Sequence, residues 1–236
     1  MTAQWTTDDL VAFVQREFNS LSDPIKAGPM AAYMKTEMPF YGIQKPERLP
    51  VYRQMKALFP PNNPRQYCAG VLALWKLPHR EEKYAALEYA KQHRQFITFK
   101  SFPLYETLIR EGLWWDLVDD IATCLVNTAY LLDRHHIRPV IDAWIDDPCL
   151  WIRRTAILAH HRHKKETDWK QLFEHVLRRS QEKEFFIRKA IGWALRDYSY
   201  SEPLRVMSFI TKHKERLSSL SYRLACRALI RNDYMN

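Results

Sequence analysis

A carboxylate, a guanidinium and two indoles form the group of residues in this sequence most suited to chemistry. Trp115 precedes Asp119 by four residues, so the two lie on one face of a helix. Arg154 and Trp193 follow further along the chain. A carboxylate and electron-rich indole faces attract positive charge, whereas a guanidinium binds an anion in a bidentate manner. The group therefore suits a reaction in which positive charge develops close to an anion.

An internal repeat relates these positions to one another. Three segments align without gaps at a period of 35 residues: 152–156 (IRRTA), 187–191 (IRKAI) and 222–226 (YRLAC). A period of this length filled by two helices is typical of an α-solenoid, and the arginine pattern resembles HEAT repeats. The same step places Asp119, Arg154, Lys189 and Leu224 at equivalent positions on successive inner helices. Three of these four residues are charged, which indicates an exposed inner face.

Amphipathic segments of about 10–16 residues, separated by proline or short polar joints, predict helices along nearly the whole chain. The first predicted helix is capped by Thr6 or Thr7 and ends near Asn19. The others cover residues 24–37, 46–58, 64–76, 80–95, 102–111, 114–131, 138–145, 148–161, 167–179, 184–197, 202–213 and 217–231. We therefore expect an all-α fold, a right-handed α–α superhelix of HEAT-like repeats with a concave groove. We expect residues 1–236 to form a single domain.

Composition excludes several classes of function. The chain of 236 residues has only 5 glycines and no G-x-G-x-x-G or G-x-x-x-x-G-K motif, so a nucleotide cofactor is not expected. Its 4 cysteines are scattered without a C-x-x-C pair, which disfavours a zinc site. The N-terminal segment lacks the basic and apolar regions of a signal peptide, and no apolar run approaches a membrane span. We expect a soluble, cytoplasmic protein without a metal or other cofactor.

Positive charge is concentrated in the C-terminal part of the chain. Residues 151–236 contain 19 Lys and Arg against 9 Asp and Glu, whereas residues 1–150 contain 17 against 18. A field of this sign attracts a phosphate backbone and accelerates encounter with nucleic acid. A basic surface that serves only solubility is the alternative.

Five segments of the sequence form recognisable motifs: residues 114–119 (WWDLVD), 150–154 (LWIRR), 185–196 (FFIRKAIGWALR), 30–35 (MAAYMK) and 42–48 (GIQKPER). At these segments the chain resembles the AlkD family of bacterial DNA alkylation-repair glycosylases. The resemblance runs nearly from end to end and keeps the spacing between the motifs. It implies hydrolysis of the N-glycosidic bond of cationic 3-methyladenine- and 7-methylguanine-type bases in duplex DNA, without flipping the base.

The resemblance also implies roles for individual residues. Asp119 falls on the family's catalytic aspartate, Trp115 and Trp193 on its sugar-facing tryptophans, and Arg154 on its phosphate-binding arginine. Lys189 and Arg196 lie in the third of these motifs, and we expect them to contact DNA. Tyr33 and Gln44 match N-terminal positions that reach DNA near the lesion. Because a groove that holds duplex DNA needs no second copy, we expect a monomer.

Several alternatives stay open at this point. The protein could be a non-catalytic, DNA-structure-binding paralogue, or a HEAT scaffold for an acidic protein. Asp119 could be a surface residue or an ion-pair partner of Arg154, and each tryptophan could belong to the core. Lys189 could act as a Schiff-base nucleophile, although a positioned aspartate favours direct hydrolysis.

We also predict roles for three regularly spaced arginines and for a basic run of residues at the end of the helix predicted at 148–161. Arg153, Arg188 and Arg223 are expected to tie each helix to a neighbouring loop. Residues 160–165 (HHRHKK) are expected to form a basic loop near phosphate, with a plain solvated loop as the alternative. The histidines of this run lack a carboxylate or cysteine at a spacing that would complete a metal site.

Overall fold

Residues 5–235 are described in the computed structural model, and most of them are helical. The α-helices of this part of the chain are α1 (Thr7–Ser20), α2 (Pro24–Met34), α3 (Lys45–Leu58), α4 (Pro64–Trp75), α5 (Arg80–Gln92), α6 (Phe102–Gly112), α7 (Trp115–Asp120), α8 (Asn127–Leu132), α9 (Arg134–Trp144), α10 (Leu150–Leu158), α11 (Trp169–Arg179), α12 (Phe185–Ser199), α13 (Pro203–Lys212) and α14 (Ser219–Arg231). A π-helical segment, Ile121–Val126, joins α7 to α8.

The predicted all-α class is confirmed, since residues 5–235 contain no β-strand. The chain forms two compact units, one up to Ser101 and the other from Phe102 onward. The single domain over residues 1–236 stays a prediction. No helix in the described range is both long enough and apolar enough to cross a lipid bilayer.

Most helix bounds lie within two residues of the predicted ranges. Helices α5 and α10 end three residues earlier than predicted, at Gln92 and Leu158. Helices α2 and α9 also differ, each for a local reason. Helix α2 ends at Met34 rather than near residue 37, because Lys35 adopts a left-handed conformation with φ of 51°. Helix α9 begins at Arg134, four residues earlier than predicted. The Asp133 side chain caps it by accepting a hydrogen bond from the His136 N–H at 3.3 Å.

Successive inner helices of the second unit pack against one another in the order that the repeat predicts. Helix α10 contacts both α7 and the π-helical segment, α12 contacts α10, and α14 contacts α12. Polar contacts at similar separations join the repeats. The Asn127 side chain donates to the His161 carbonyl at 3.0 Å, and the Ser221 hydroxyl donates to the Arg188 carbonyl at 2.8 Å. The 35-residue repeat is therefore a repeat of structure as well as of sequence.

The close approach of α12 and α14 depends on a glycine. A Cβ atom added at Gly192 would lie 2.5 Å from the Leu224 Cβ and 2.9 Å from the Ser221 carbonyl oxygen. Neither neighbour is the flexible end of a long side chain, so any side chain at this position forces the helices apart. Gly192 thus sets the distance between the last two inner helices.

The prediction of a basic loop at residues 160–165 is wrong for its histidines. His160, His161 and His163 are buried, whereas Arg162, Lys164 and Lys165 are exposed. Arg162 and Lys164 adopt left-handed conformations, with φ of 61° and 55°. These conformations separate the two kinds of side chain: the imidazoles turn inward, and the three cations turn outward. A phosphate contact by the three exposed cations stays a prediction.

The buried histidines belong to a polar network between α8 and α11. His163 donates its Nε2–H to the Asn127 carbonyl, the two atoms being 2.8 Å apart. His175 Nε2 lies 2.9 Å from a carboxylate oxygen of Asp142, which also accepts a hydrogen bond from Gln171. Burial lowers the pKa of His163 to about 4 and holds the pKa of His160 well below its usual value. Both imidazoles are therefore neutral at pH 7.

We expect Gly192→Ala to lower the free energy of unfolding by about 1–3 kcal/mol, because it overpacks the contact between α12 and α14. Urea unfolding followed by circular dichroism measures the change. Gly28→Ala is the matched control, since a Cβ at Gly28 meets no atom within 4 Å. The control should leave stability unchanged or raise it by up to about 1 kcal/mol. Equal losses in both variants would contradict the role given to Gly192.

The free energy of unfolding should decrease as the pH falls from about 6.5 to about 4. In this range His163 binds a proton in the unfolded chain but stays neutral in the folded one, so acid favours unfolding. Stabilisation by the neutral form is complete above pH 6.5, and its loss costs up to about 3 kcal/mol. Urea titrations at several pH values should give a shallower slope for His163→Gln. His135→Gln, which removes an exposed imidazole, should keep the wild-type slope.

Candidate active site

Asp119 and Arg154 form a bidentate ion pair between adjacent repeats. Arg154 Nε donates to Asp119 Oδ1 at 2.7 Å, and Nη2 donates to Oδ2 at 2.8 Å. The Asp119 side chain is 17% exposed and that of Arg154 only 5%. Charge-assisted fork contacts of this kind are short and directional. The carboxylate is therefore held in one orientation, with a small part of its surface open to solvent.

Further contacts fix the Arg154 guanidinium from its other side. Its Nη1 donates to the Phe186 carbonyl at 2.5 Å, and its Cζ lies 5.9 Å from the centroid of the Phe186 ring. Three of its five N–H groups are thus engaged. The phosphate contact predicted for Arg154 would have to use the other two, on a side chain that is almost fully buried. The structure places Arg154 in the role of ion-pair partner, which the sequence left as an alternative.

Two neighbouring tryptophans, Trp114 and Trp115, lie at the start of α7. Trp114 packs in an aromatic cluster, with its ring centroid 6.0 Å from that of Trp151 and 5.5 Å from that of Phe186. Trp115 begins α7 and is half-buried, one helical turn before Asp119. Both residues are half-buried. Trp114 packs against α10 and α12 through Trp151 and Phe186, and Trp115 lies on the same helix as the carboxylate.

Asp119 lies next to the irregular part of its helix. The π-helical segment begins two residues later, and the Thr123 hydroxyl donates to the Asp119 carbonyl at 2.7 Å. Short π-helical segments occur frequently at functional sites because they redirect neighbouring side chains. The sequence predicted one regular helix here, since the apolar pattern continues through the segment.

Trp193 lies on α12 and is half-buried. The His161 ring packs against it in a T-shaped arrangement, with 5.0 Å between ring centroids and 63° between ring planes. His161 Nδ1 is 3.1 Å from a carboxylate oxygen of Asp197, one turn after Trp193 on α12. Sequence analysis missed both neighbours, although the four-residue spacing of Trp193 and Asp197 was a usable signal.

The other predicted contact residues of the second unit are accessible to different degrees. Lys189 is exposed, and its ammonium group lies 5.3 Å from the centroid of the Phe185 ring. Arg196 is half-buried on the same helix. The structure brings Asp119 and Arg154 into direct contact. The other predicted residues lie on the two helices that pack against α10: Trp115 on α7, and Lys189, Trp193 and Arg196 on α12.

Tyr33 and Gln44 belong to the first unit. Tyr33 is 72% exposed near the end of α2, and Gln44 is exposed just before α3. The segment leading to Gln44 is fixed by the fully buried Glu81, whose carboxylate accepts the N–H groups of residues 41–43 at distances of 2.9–3.1 Å. The role of Glu81 could not be predicted from the sequence, because acidic residues are common in the first turn of a helix.

The structural role predicted for Arg153 is confirmed. Its guanidinium donates to the carbonyl oxygens of Asp147 and Pro148 at 2.7 and 2.8 Å, and to Glu182 at 2.6 Å. It therefore ties α10 to the loops before and after its repeat. The corresponding roles of Arg188 and Arg223 stay predictions.

Comparisons with known proteins agree with this architecture. The family model described as "DNA alkylation repair enzyme" matches residues 14–229. A solved structure, a predicted DNA alkylation repair enzyme from Enterococcus faecalis, is 27% identical with a TM-score of 0.81, over 88% of this chain and 96% of that one. AlkD2 from Streptococcus mutans is 17% identical with a TM-score of 0.57, over 75% and 87% of the two chains, and shows the fold alone.

No curated protein matches the chain. The family model nevertheless spans most of the sequence, including both partners of the ion pair and the tryptophans Trp115 and Trp193. The resemblance deduced from the sequence motifs is thereby confirmed, as is a helical-repeat fold. The chain belongs to the DNA alkylation repair enzyme family.

Proposed function

We propose that the protein is a DNA glycosylase that hydrolyses the N-glycosidic bond of cationic alkylated purines, of the 3-methyladenine and 7-methylguanine type, in duplex DNA. The observation that carries this proposal is the bidentate ion pair between Asp119 and Arg154. It holds a partly exposed carboxylate in a fixed orientation one helical turn from a half-buried tryptophan. Such a group suits a cationic transition state at a sugar carbon.

The chemistry of the substrate explains why so few groups suffice. A purine alkylated at N3 or N7 already carries positive charge, so it leaves without being protonated by the enzyme. The transition state resembles an oxocarbenium ion, as in glycoside hydrolysis. Asp119 would stabilise that charge and orient the attacking water molecule. Water then adds to the sugar carbon as the neutral base departs, and the proton that the water loses passes through the Asp119 carboxylate to solvent.

Arg154 contributes by fixing the carboxylate. A free aspartate side chain rotates between rotamers, whereas the fork contact with Nε and Nη2 removes that freedom before substrate binds. Preorganised electrostatic groups stabilise charge without the cost of reorienting during the reaction. We propose that Trp115 and Trp193 attract the cationic sugar or base through their indole faces.

The remaining contacts concern the DNA itself. In this proposal Lys189 and Arg196 contact the backbone from α12, and Tyr33 and Gln44 reach DNA from the first unit. The C-terminal excess of positive charge supplies the attraction. We place the reaction in the cytoplasm, in a monomer without a cofactor, with the duplex in the predicted concave groove and the base left unflipped. Base release initiates excision repair.

Asp119→Asn should reduce the single-turnover rate of base release by about 10²-fold or more, because it removes the charge that stabilises the transition state. The measurement incubates excess protein with a duplex containing 7-methylguanine and quantifies the free base. Asp120→Asn is the matched control, since it removes the same charge from the adjacent residue, and it should release base at close to the wild-type rate.

Two outcomes would contradict this assignment. Asp119→Asn as fast as wild type would remove Asp119 from the reaction. Wild-type protein that binds the duplex but releases no base would support the non-catalytic, DNA-structure-binding paralogue instead.

Arg154→Lys should slow base release about 10-fold or more while leaving the affinity for DNA nearly unchanged. A lysine keeps the charge but cannot make the two parallel contacts with Asp119.

A second variant, Arg154→Ala, tests the predicted phosphate contact directly through the salt dependence of DNA binding. Loss of one phosphate contact reduces the slope of log K against log salt by about 0.9. An unchanged slope would show that Arg154 does not touch phosphate.

A further inference from the structure

Trp193 is held by two residues that have no part in the proposed reaction. The His161 and Trp193 rings pack in a T-shaped arrangement, at 5.0 Å between ring centroids. The His161 side chain is only 8% exposed, so the indole packs against a buried ring. Edge-to-face packing fixes the relative angle of two rings more tightly than contact between aliphatic groups. The orientation of the indole thus depends on where the imidazole sits.

Asp197 fixes the imidazole in turn. One of its carboxylate oxygens lies 3.1 Å from His161 Nδ1, and the other accepts the Arg162 N–H at 2.7 Å. Burial raises the pKa of Asp197, but the contacts with His161 and the Arg162 N–H outweigh it and lower the pKa overall. The carboxylate is therefore charged at neutral pH. It holds the backbone and the side chain of the same turn together.

The backbone of His161 is also anchored from α8. The Asn127 side chain donates to the His161 carbonyl at 3.0 Å, and the Asn127 carbonyl accepts the Nε2–H of His163. His161 is consequently restrained at its carbonyl, at its ring and through the neighbouring N–H. Such a restrained residue can impose an orientation on a neighbour that has only two side-chain torsions.

We propose that His161 and Asp197 are positioning residues for Trp193, which hold its indole in the single orientation that faces the substrate. The inference rests on the proposed function for the part that concerns catalysis. Asp197 keeps the imidazole in place, and the imidazole supports the half-buried indole. Neither residue touches the reacting atoms.

A double-mutant cycle with base release as the readout tests this dependence. His161→Leu and Asp197→Asn should each slow single-turnover base release about 10-fold, since a small displacement of a contact group is enough to do so. In a Trp193→Ala background the same substitutions should cost less than about 2-fold, because residues that act as one unit are not additive. Full additivity in both cycles would overturn the proposal.

A second readout is independent of catalysis. The fluorescence of Trp193 is obtained as the difference between proteins with and without this residue, and its accessibility is measured by acrylamide quenching. His161→Leu and Asp197→Asn should increase the quenching of Trp193. Unchanged quenching in both variants would overturn the positioning role, whatever the effect on base release.

The matched control is His175→Leu, which breaks another contact between a buried histidine and a carboxylate in the same unit, 2.9 Å apart. It should lower the melting temperature as His161→Leu does, yet leave the quenching of Trp193 at the wild-type value. An equal increase in the control would mean that general loosening explains the effect, which would overturn the proposal. If Trp193→Ala alone releases base at the wild-type rate, the catalytic role of Trp193 fails, and the quenching data still decide the positioning role.

Discussion

The second unit depends on the requirement that each helical pair bury its apolar face against the next pair. A pair of short helices cannot form a core alone, so neighbouring repeats must approach closely and at a regular spacing. Gly192 shows how strict this approach is, with the Leu224 Cβ only 2.5 Å from where its own Cβ would be. Regular stacking also brings equivalent positions of successive inner helices within reach of one another. The ion pair of Asp119 and Arg154, 35 residues apart, is a direct result.

Burial of polar groups imposes the second condition. A buried guanidinium or imidazole is costly unless its polar atoms find partners or it becomes neutral. Arg154 meets this condition through Asp119 and the Phe186 carbonyl, and His163 through neutrality and the Asn127 carbonyl. The same contacts that satisfy buried groups also orient the accessible ones. Stability and site geometry are therefore supplied by one set of hydrogen bonds.

Much of this arrangement follows from the sequence alone. Prolines and amphipathic periodicity locate nearly every helix, and the 35-residue period pairs Asp119 with Arg154 before any coordinates are known. Burial of individual polar residues does not follow in the same way, because it depends on partners distant in sequence. The histidines of residues 160–165 were predicted to lie in a surface loop, because the sequence does not show that their partners are Asn127 and Asp197. Both partners lie 34 or more residues away along the chain. The burial of Arg154 was not predicted for the same reason, since its partners Asp119 and Phe186 are also distant in sequence.

The π-helical segment after Asp119 has a consequence for chain length. A π-helical turn holds one more residue than the α-helical turn it replaces, while the helix on either side keeps its direction. Deleting one residue from Ile121–Val126 would therefore be absorbed by a return to regular α-helix, with both flanks facing as before. The same deletion elsewhere in the helix would turn one flank by about 100° relative to the other. This segment is thus the place in the helix where relatives can differ in length by one residue, and an alignment gap here need not displace the carboxylate.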